Sequence, residues 1–281
     1  MHLIYSDGSV SLYIGDARRL DAIPDSTVQL IVTSPPYNVG MKYGDVNDRM
    51  PWDEYYGLVG AALGEMYRVL RPGGVLAMVL PHYVHDTGGR LEFVYFKVWE
   101  LVEKAGFIPR QPIIWAKGWP RQGILISPHC KVGSPANPRL RMVHDVILLA
   151  SKKRLHRQAG PKGGIRRHPW EVMDWLKDVW VIPTAGARGL SLNHPAAFPP
   201  EIPARLIWLF TEPGELVLDP FGGSMTTCIV AKHLGRKAIG VDIVEEYVVS
   251  AANRLRQMVF EWATVAEISP TMARKNLPLW K

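Results

Sequence analysis

Short apolar strands alternate with amphipathic helices along most of the chain, and this alternation limits the folds that it can adopt. Val28–Thr33, Val75–Leu80 and Lys237–Asp242 are strand-like stretches rich in Val, Ile, Leu and Ala. Between such stretches, Asp53–Leu70 and Leu91–Ala105 repeat apolar residues at the spacing of a helix. Strands that alternate with helices usually form a mostly parallel sheet with helices on both faces. The sequence therefore predicts an α/β fold.

Length and composition set the broad class of protein. The chain has 281 residues, of which 47% are hydrophobic, and this is enough for one or two domains with a buried core. No apolar run reaches the roughly 18 residues of a transmembrane helix. The first ten residues lack the apolar segment of a signal peptide. The two cysteines, Cys130 and Cys228, indicate neither a disulfide framework nor a metal-binding pair. We therefore expect a cytoplasmic protein without a structural metal.

A rigid turn follows the strand that ends at Thr33. Its residues are Ser34, Pro35, Pro36 and Tyr37. Two consecutive prolines fix the backbone and have no amide donors of their own, while Ser34 adds a hydroxyl and Tyr37 adds a flat aromatic face. Rigid acceptors beside a stacking surface suit a planar group with an exocyclic amine, such as a base taken out of a DNA stack. On these four residues alone, an ordinary strand-ending turn is the simpler interpretation.

A second turn, near residue 219, favours the functional interpretation. The strand Leu216–Asp219 is followed by the glycine turn Pro220–Ser224 and the helix Thr226–Leu234. Glycines let a ligand approach the backbone, and the amides at a helix start point towards it. Asp242 lies 20 residues after Gly222, where nucleotide sites often place an acid that binds ribose hydroxyls. One Gly-Gly pair suits a nucleoside better than a pyrophosphate, and this points to S-adenosylmethionine.

A basic segment precedes the glycine turn. Residues 105–170 contain thirteen Lys and Arg but one acid, Asp145. A block of one charge sign suggests a polyanionic partner, although a solvated basic surface is the alternative. Trp170, Trp175 and Trp180 follow one another at five-residue intervals, which suits either nucleic-acid binding or a small local core. The candidate DNA-binding residues are Lys152, Lys153, Arg154, Arg157, Arg166 and Arg167.

The two turns together resemble the motifs of the amino-methylating DNA methyltransferases. Thr33–Tyr37 comes first and Asp219–Thr227 comes much later, which is the order of the β group of this family. The resemblance extends over roughly residues 11–256. Gly15-Asp16 resembles the family's adenine-contacting motif, and Asn193–Pro199 resembles the motif that lines the methionine end of the cofactor. Met225 occupies a position where the family usually has glycine.

The resemblance implies a fold and a division of the chain. The fold is a Rossmann-like methyltransferase fold with a mostly parallel seven-stranded sheet and a circularly permuted motif order. The implied parts are a catalytic half at 1–151 with a loop at 117–142, a basic target-recognition region at 152–190, a cofactor-binding half at 191–260 of the same domain, and a C-terminal tail at 261–281.

The resemblance also implies site residues and partners. The catalytic residues would be Ser34, Pro35, Pro36 and Tyr37. The cofactor-binding residues would be Asp16, His194, Phe198, Asp219, Phe221, Gly222, Gly223, Ser224, Thr226 and Asp242. The cofactor is S-adenosyl-L-methionine and the substrate is double-stranded DNA. A homodimer and a cognate restriction endonuclease are left open as further partners, and no membrane is involved.

The first turn suggests how a base would be methylated. Acceptors from the Ser34 hydroxyl and the Pro35 carbonyl would localise the lone pair of the amine, which then attacks the methyl group directly. In the resembled family, Ser at the first turn position mostly accompanies N4-cytosine methylation, and Asp or Asn mostly accompanies N6-adenine methylation. We therefore expect cytosine N4, with adenine N6 as the alternative and a catalytically inactive DNA-binding module as a second alternative.

Overall fold

The computed structural model describes residues 1–43, 46–85, 89–117, 142–157, 173–184 and 198–261, and only the backbone of residues 43, 46 and 258–261. The sequence predictions for His194, Arg166, Arg167 and Trp170, and those for the C-terminal tail beyond residue 261, lie outside these ranges. None of the helices within the described ranges combines the length and the apolar character that crossing a membrane requires.

The described residues form fourteen strands and five helices. The strands are β1 (His2–Ser6), β2 (Val10–Ile14), β3 (Val28–Thr33), β4 (Lys42–Tyr43), β5 (Val46–Asn47), β6 (Leu70–Pro81), β7 (Val84–His85), β8 (Leu91–Glu92), β9 (Phe107–Pro109), β10 (Ile113–Ala116), β11 (His144–Lys152), β12 (Val179–Val181), β13 (Leu216–Asp219) and β14 (Lys237–Asp242). The helices are α1 (Trp52–Val69), α2 (Val94–Lys104), α3 (Glu201–Phe210), α4 (Thr226–His233) and α5 (Glu245–Glu261).

Ten of the strands form one mixed sheet in the order β1-β2-β14-β13-β3-β6-β11-β10-β12, and β9 also pairs with β11. The five strands from β2 to β6 in this order are parallel to their neighbours. β11 is antiparallel to β6 and to β10. The sheet thus has three strands more than the seven that were expected. The seven consecutive strands from β2 to β10 carry the expected architecture. The short β1 and β12 extend it at its edges, and β9 pairs with the last residues of β11.

Helices cover both faces of the sheet, as the alternation of elements predicts. One buried cluster contains residues of α1 and α2, and the other contains residues of α3, α4 and α5. The two clusters lie on opposite sides because alternate residues of a strand point to opposite faces. In β3, for example, Ile31 packs on the side of α1, whereas Leu30 and Val32 pack on the side of α3.

The chain reverses its direction of winding between β13 and β3, which are adjacent and parallel. The connection from β13 leads through α4 to β14, on one side of this pair. The connection from β3 leads through α1 to β6, on the other side. Two connections that diverge in this way leave a crevice beyond the carboxyl ends of the strands, and α/β proteins bind ligands there. Both turns singled out in the sequence, at Ser34 and at Pro220, begin at this crevice.

Antiparallel β11 carries the start of the basic region away from the crevice. Its last residues pair with the start of β6, where Ser151 lies opposite Val75. A nine-residue strand spans about 30 Å, so the chain leaves β11 at the end of the strands that is remote from Ser34. The exposed Lys153 and Arg154 lie at this remote end. Their position does not favour contact with a DNA duplex that offers a base to the crevice.

Two of the predicted DNA-binding residues have partners within the protein. Lys152 is buried, and its ammonium group donates hydrogen bonds to the carbonyl oxygens of Arg68 and Leu70 at 2.9 and 2.6 Å. It therefore satisfies carbonyls at the C-terminal end of α1, and its prediction as a DNA-binding residue is wrong. The Arg157 guanidinium forms ion pairs with two carboxylates, those of Glu212 and Glu215. Counting charges along the sequence could not reveal either arrangement.

Trp180, the last of the three tryptophans spaced five residues apart, belongs to the core of the sheet. Trp180 is fully buried in β12, where it pairs with Trp115 of β10. Its indole N–H donates a hydrogen bond to the carbonyl oxygen of Trp175 at 3.2 Å. For Trp180, the local core is therefore the correct alternative.

Candidate functional site

A pocket occupies the crevice beyond β3 and β13. Both turns line it, together with the ends of β2 and β14 and the start of α5. The lining residues are Gly15, Asp16, Ala17, Arg18, Ser34, Pro35, Pro36, Tyr37, Asn47, Asp48, Met50, Leu58, Phe198, Pro220, Phe221, Gly222, Gly223, Ser224, Thr226, Asp242, Ile243, Val244 and Tyr247. Twelve of these 23 residues are apolar or aromatic, three are glycines and eight are polar or charged. Apolar walls that carry polar groups are typical of small-molecule sites.

The turn after β3 forms one wall of this pocket. Ser34, Pro36 and Tyr37 are half-buried, and Pro35 is buried between them. All four line the pocket. Asn38, which follows them, adopts a left-handed backbone conformation with φ of +59°. The structure thus brings the four predicted catalytic residues to one wall of one pocket.

The glycine turn after β13 also lines the pocket, and Asp242 stabilises this turn. One carboxylate oxygen of Asp242 accepts a hydrogen bond from the Gly223 amide at 2.7 Å, and the other accepts one from the Val244 amide at 2.8 Å. Burial raises the pKa of this carboxyl group, and the backbone donors oppose that effect. Each carboxylate oxygen has two acceptor positions. Asp242 can therefore hold the turn and still accept a hydrogen bond from a ligand hydroxyl.

Met225 lies in the glycine turn at a position where the resembled family usually has glycine, and its buried side chain packs against two glycines. Its backbone is left-handed, with φ of +56° and ψ of +29°, and it precedes the first residue of α4. Its side chain is completely buried. It fills space that exists only because Gly222 and Gly240 lack side chains, since a Cβ at these positions would lie 2.2 and 2.4 Å from the Met225 Sδ. The glycines are thus required by packing against Met225.

Asp219 lies behind the pocket rather than in its lining. Its buried carboxyl group accepts hydrogen bonds from the Thr33 hydroxyl at 2.7 Å and from the Phe221 amide at 3.3 Å. Thr33 directly precedes the Ser34–Tyr37 turn and Phe221 belongs to the glycine turn, so Asp219 connects the two turns. Burial raises the pKa of Asp219 to about 7. This residue was expected to bind the cofactor, and its contacts are instead with protein groups that shape the site.

Asp16, a predicted cofactor-binding residue, lines the pocket, but it is not a free carboxylate. The guanidinium group of Arg18 binds both of its oxygens, and the Arg18 amide donates a further hydrogen bond at 2.8 Å. The hydrogen bonds from Arg18 lower the pKa of Asp16. Arg18 is exposed and lies at the pocket as well, although no motif in the sequence drew attention to it.

The structure thus places twelve of the fourteen predicted catalytic and cofactor-binding residues in the pocket lining. The exceptions are Asp219 and His194, which lies outside the described residues. Several lining residues were missed, among them Ile243, Val244 and Tyr247. The available sequence signal was the apolar Ile243 immediately after Asp242, and in the structure its side chain is 62% exposed.

The pocket fits a nucleoside that carries a positive charge. Gly222 and Gly223 let a ligand approach the backbone, and Asp242 provides an acceptor for hydroxyl groups. The aromatic rings of Phe198, Phe221 and Tyr247 border the same space, and aromatic faces attract cations.

Comparison with known proteins identifies the class. The family model for DNA methylases of the N6/N4 type matches residues 28–253. This chain belongs to the N6/N4 DNA methylase family. It is 31% identical over 262 residues to the Type II methyltransferase M.BglII of Bacillus subtilis, covering 84% of this chain and 66% of the relative. It is 32% identical over 275 residues to the Type II methyltransferase M.MjaI of Methanocaldococcus jannaschii, covering 83% of this chain and 86% of that relative.

A solved structure supports the cofactor. The protein TTHA0409 of Thermus thermophilus, determined in complex with S-adenosyl-L-methionine, superposes with a TM-score of 0.69 at 28% identity. The match covers 88% of this chain and 93% of the other. This methyltransferase is therefore an S-adenosylmethionine-dependent enzyme that methylates amino groups in DNA, and the predicted fold is confirmed.

Proposed function

We propose that this methyltransferase transfers a methyl group to the exocyclic N4 amine of a cytosine that is flipped out of DNA. The observation that carries the proposal is Ser34, which begins the catalytic turn and lines the pocket beside Tyr37. A serine hydroxyl can both donate and accept a hydrogen bond. It can therefore bond to cytosine N3, which is an acceptor, as well as to the amine. Adenine also has an acceptor, N1, beside its amine, so the choice of cytosine rests on the serine itself, which in the resembled family mostly accompanies N4-cytosine methylation.

The residues around Ser34 would act mainly by position. S-adenosylmethionine supplies the electrophilic methyl group. The Ser34 hydroxyl and the Pro35 carbonyl accept hydrogen bonds from the amine, and Tyr37 stacks on the flipped base. A covalent intermediate on the base, as in methylation at ring carbon C5, would need a reactive thiolate. The buried Cys228 does not suit that role, because burial raises the pKa of its thiol well above the usual range.

The cofactor would lie across the glycine turn. In this proposal Asp242 accepts hydrogen bonds from the ribose hydroxyls, and Gly222 and Gly223 let the nucleoside approach the backbone. Phe198 and Phe221 would contact the cationic end of the cofactor. Asp219 would contribute indirectly, by fixing the two turns relative to each other.

The relatives also suggest a biological setting. Both are Type II methyltransferases, and this supports the proposal that the enzyme protects DNA within a restriction-modification system, beside a cognate endonuclease. Co-purification from cells that express neighbouring reading frames would test for that endonuclease, and sedimentation of the pure enzyme would test for a homodimer.

The product decides between the two exocyclic amines. DNA from cells that express the enzyme is digested to nucleosides and analysed by mass spectrometry beside chemical standards. We expect N4-methylcytosine. N6-methyladenine alone would overturn the choice of base but keep the mechanism, and 5-methylcytosine would overturn both.

A serine variant separates chemistry from cofactor binding. Ser34→Ala should lower the methyl-transfer rate while the affinity for S-adenosylmethionine stays the same, because the hydroxyl acts on the base. Calorimetry measures the affinity, and transfer of a labelled methyl group measures the rate. Equal losses in both quantities would contradict the assigned role of Ser34.

A further inference from the structure

Asp145 is buried in the interior of the sheet, at the end of the strands where the Ser34–Tyr37 turn begins. It lies at the start of β11, where it pairs with Pro81 of β6 and Trp115 of β10, and only 2% of its surface is exposed. A carboxylate that loses its hydration destabilises a fold unless partners compensate. The stability of this buried carboxylate therefore depends on its polar partners.

Asp145 joins a charge pair to the catalytic turn. Its Oδ2 atom accepts hydrogen bonds from the Lys117 ammonium at 2.8 Å and from the Tyr37 hydroxyl at 3.2 Å. Its Oδ1 atom has no hydrogen-bond partner among the described residues. Burial raises the pKa of Asp145, and the nearby charge of Lys117 opposes that effect. Lys117 therefore favours the ionised form, which is the stronger acceptor.

Tyr37 is restrained at both ends. Burial raises the pKa of its phenol well above the ordinary value, and the charge of Asp145 adds to this effect, so the hydroxyl remains a donor. On the backbone side, Pro36 precedes it and Asn38 follows it. The side chain of Asn38 is itself bonded to the amide and the carbonyl of Met50 at 2.7 and 3.0 Å. The hydroxyl at the tip of the ring is held by its hydrogen bond to Asp145, and it also shares a hydrogen bond with the Ser34 hydroxyl.

We propose that Asp145 and Lys117 are positioning residues that hold the ring of Tyr37 in the plane on which the flipped base stacks. This inference rests on the proposed role of Tyr37 as the stacking surface. A ring that rotates freely would present its face to the base for only part of the time, whereas a ring anchored through its hydroxyl presents it continuously. The buried charge pair thus serves the orientation of a side chain in the active site.

A double-mutant cycle tests this coupling. Tyr37→Phe keeps the ring and removes the hydroxyl, Asp145→Ala removes the acceptor, and the double variant combines both changes. The single-turnover rate is measured with labelled S-adenosylmethionine and unmethylated bacteriophage DNA. Each single change should lower the rate about three- to tenfold, as for the loss of one hydrogen bond. If Asp145 acts through Tyr37, the double variant is no slower than the slower single variant.

Two results would contradict the coupling between Asp145 and Tyr37. Multiplicative losses in the double variant, or wild-type rates in both single variants, would overturn the proposal. Asp145→Asn covers the case in which the alanine variant does not fold. The asparagine oxygen can still accept from Tyr37, so this variant should recover part of the rate lost in Asp145→Ala. A merely structural role would lower the melting temperature of the Asp145 variants without coupling to Tyr37.

Two controls separate this proposal from the one on which it rests. Tyr37→Ala removes the stacking surface and should lower the rate about five- to 150-fold. A wild-type rate in that variant would refute the stacking role itself, whereas a slow Tyr37→Ala beside unaffected Tyr37→Phe would refute only the positioning. Glu100→Gln on α2 is the matched change of carboxylate to amide. Glu100 forms an exposed pair with Lys97 at 3.8 Å, and the rate should not change.

Discussion

The backbone conformation of Met225 destabilises the folded state, whereas its buried side chain stabilises it, and substitutions at this position separate the two effects. Its φ of +56° places an L-residue in the left-handed region, which costs about 1–2 kcal/mol relative to glycine. Its side chain is completely buried over Gly222 and Gly240, and deleting such a side chain costs about 2–5 kcal/mol. The two effects have opposite signs in Met225→Gly.

The expected order of stability follows from these magnitudes. Met225→Gly should be less stable than the wild type by about 1–3 kcal/mol, because the cavity outweighs the relief of the backbone. Met225→Ala leaves nearly the same cavity and keeps the left-handed penalty. It should be about 1 kcal/mol less stable than Met225→Gly, after the greater entropy of unfolded glycine is subtracted. The alanine variant is thus the least stable of the three.

Urea unfolding without cofactor measures these differences in the free energy of unfolding. Ile229 provides the control, because it is buried within α4, where the backbone is helical. There the order should be reversed, with Ile229→Ala more stable than Ile229→Gly by about 1 kcal/mol. If Met225→Ala were as stable as Met225→Gly, the left-handed conformation would be refuted. If Met225→Gly were as stable as the wild type, the packing argument would fail.

Three further predictions concern the cofactor site, the pH dependence and the basic region. Asp242→Ala should weaken the calorimetric affinity for S-adenosylmethionine by about 1.5–3 kcal/mol, as for the loss of a charged hydrogen-bond partner; an unchanged affinity in the folded variant would remove Asp242 from the site. The pKa of Asp219 is raised to about 7, so the folded state holds a proton that the unfolded state releases near pH 4. Its contribution to stability should therefore fall as the pH rises from about 4 to 7, and Asp219→Asn should flatten this part of the stability curve; identical pH slopes in unfolding experiments would contradict the shifted pKa. Replacing Lys153 and Arg154 by Ala should leave the salt dependence of DNA affinity unchanged, because both lie at the end of the strands that is remote from the pocket. If the slope of log affinity against log salt fell by about two, both residues would contact phosphates. Lys152→Met, by contrast, should lower the melting temperature, since it removes the ammonium group that donates to the Leu70 carbonyl in the protein interior.

The elements around the site could be predicted from the sequence because their signals are local. The strands Val28–Thr33 and Lys237–Asp242 have the predicted bounds, since an apolar run that ends at a turn is visible without knowledge of its neighbours. Proline and glycine fix backbone geometry by their own chemistry. The two turns were therefore identified correctly, and their order along the chain was enough to indicate the family.

Only the tertiary structure decided what the charged residues do. Asp145 appeared in the sequence as the single acid of a basic block, yet it contacts Tyr37, which lies 108 residues earlier. The sequence suggested that Lys152 binds DNA. Antiparallel β11 instead places it at the end of the strands that is remote from the pocket, where its ammonium group donates to carbonyls at the end of α1. The direction of a strand and its neighbours depend on long-range pairing, and a charge acts through the groups that surround it. The composition of a segment contains neither, so the sequence determined which turns form the site and the fold determined which charges reach it.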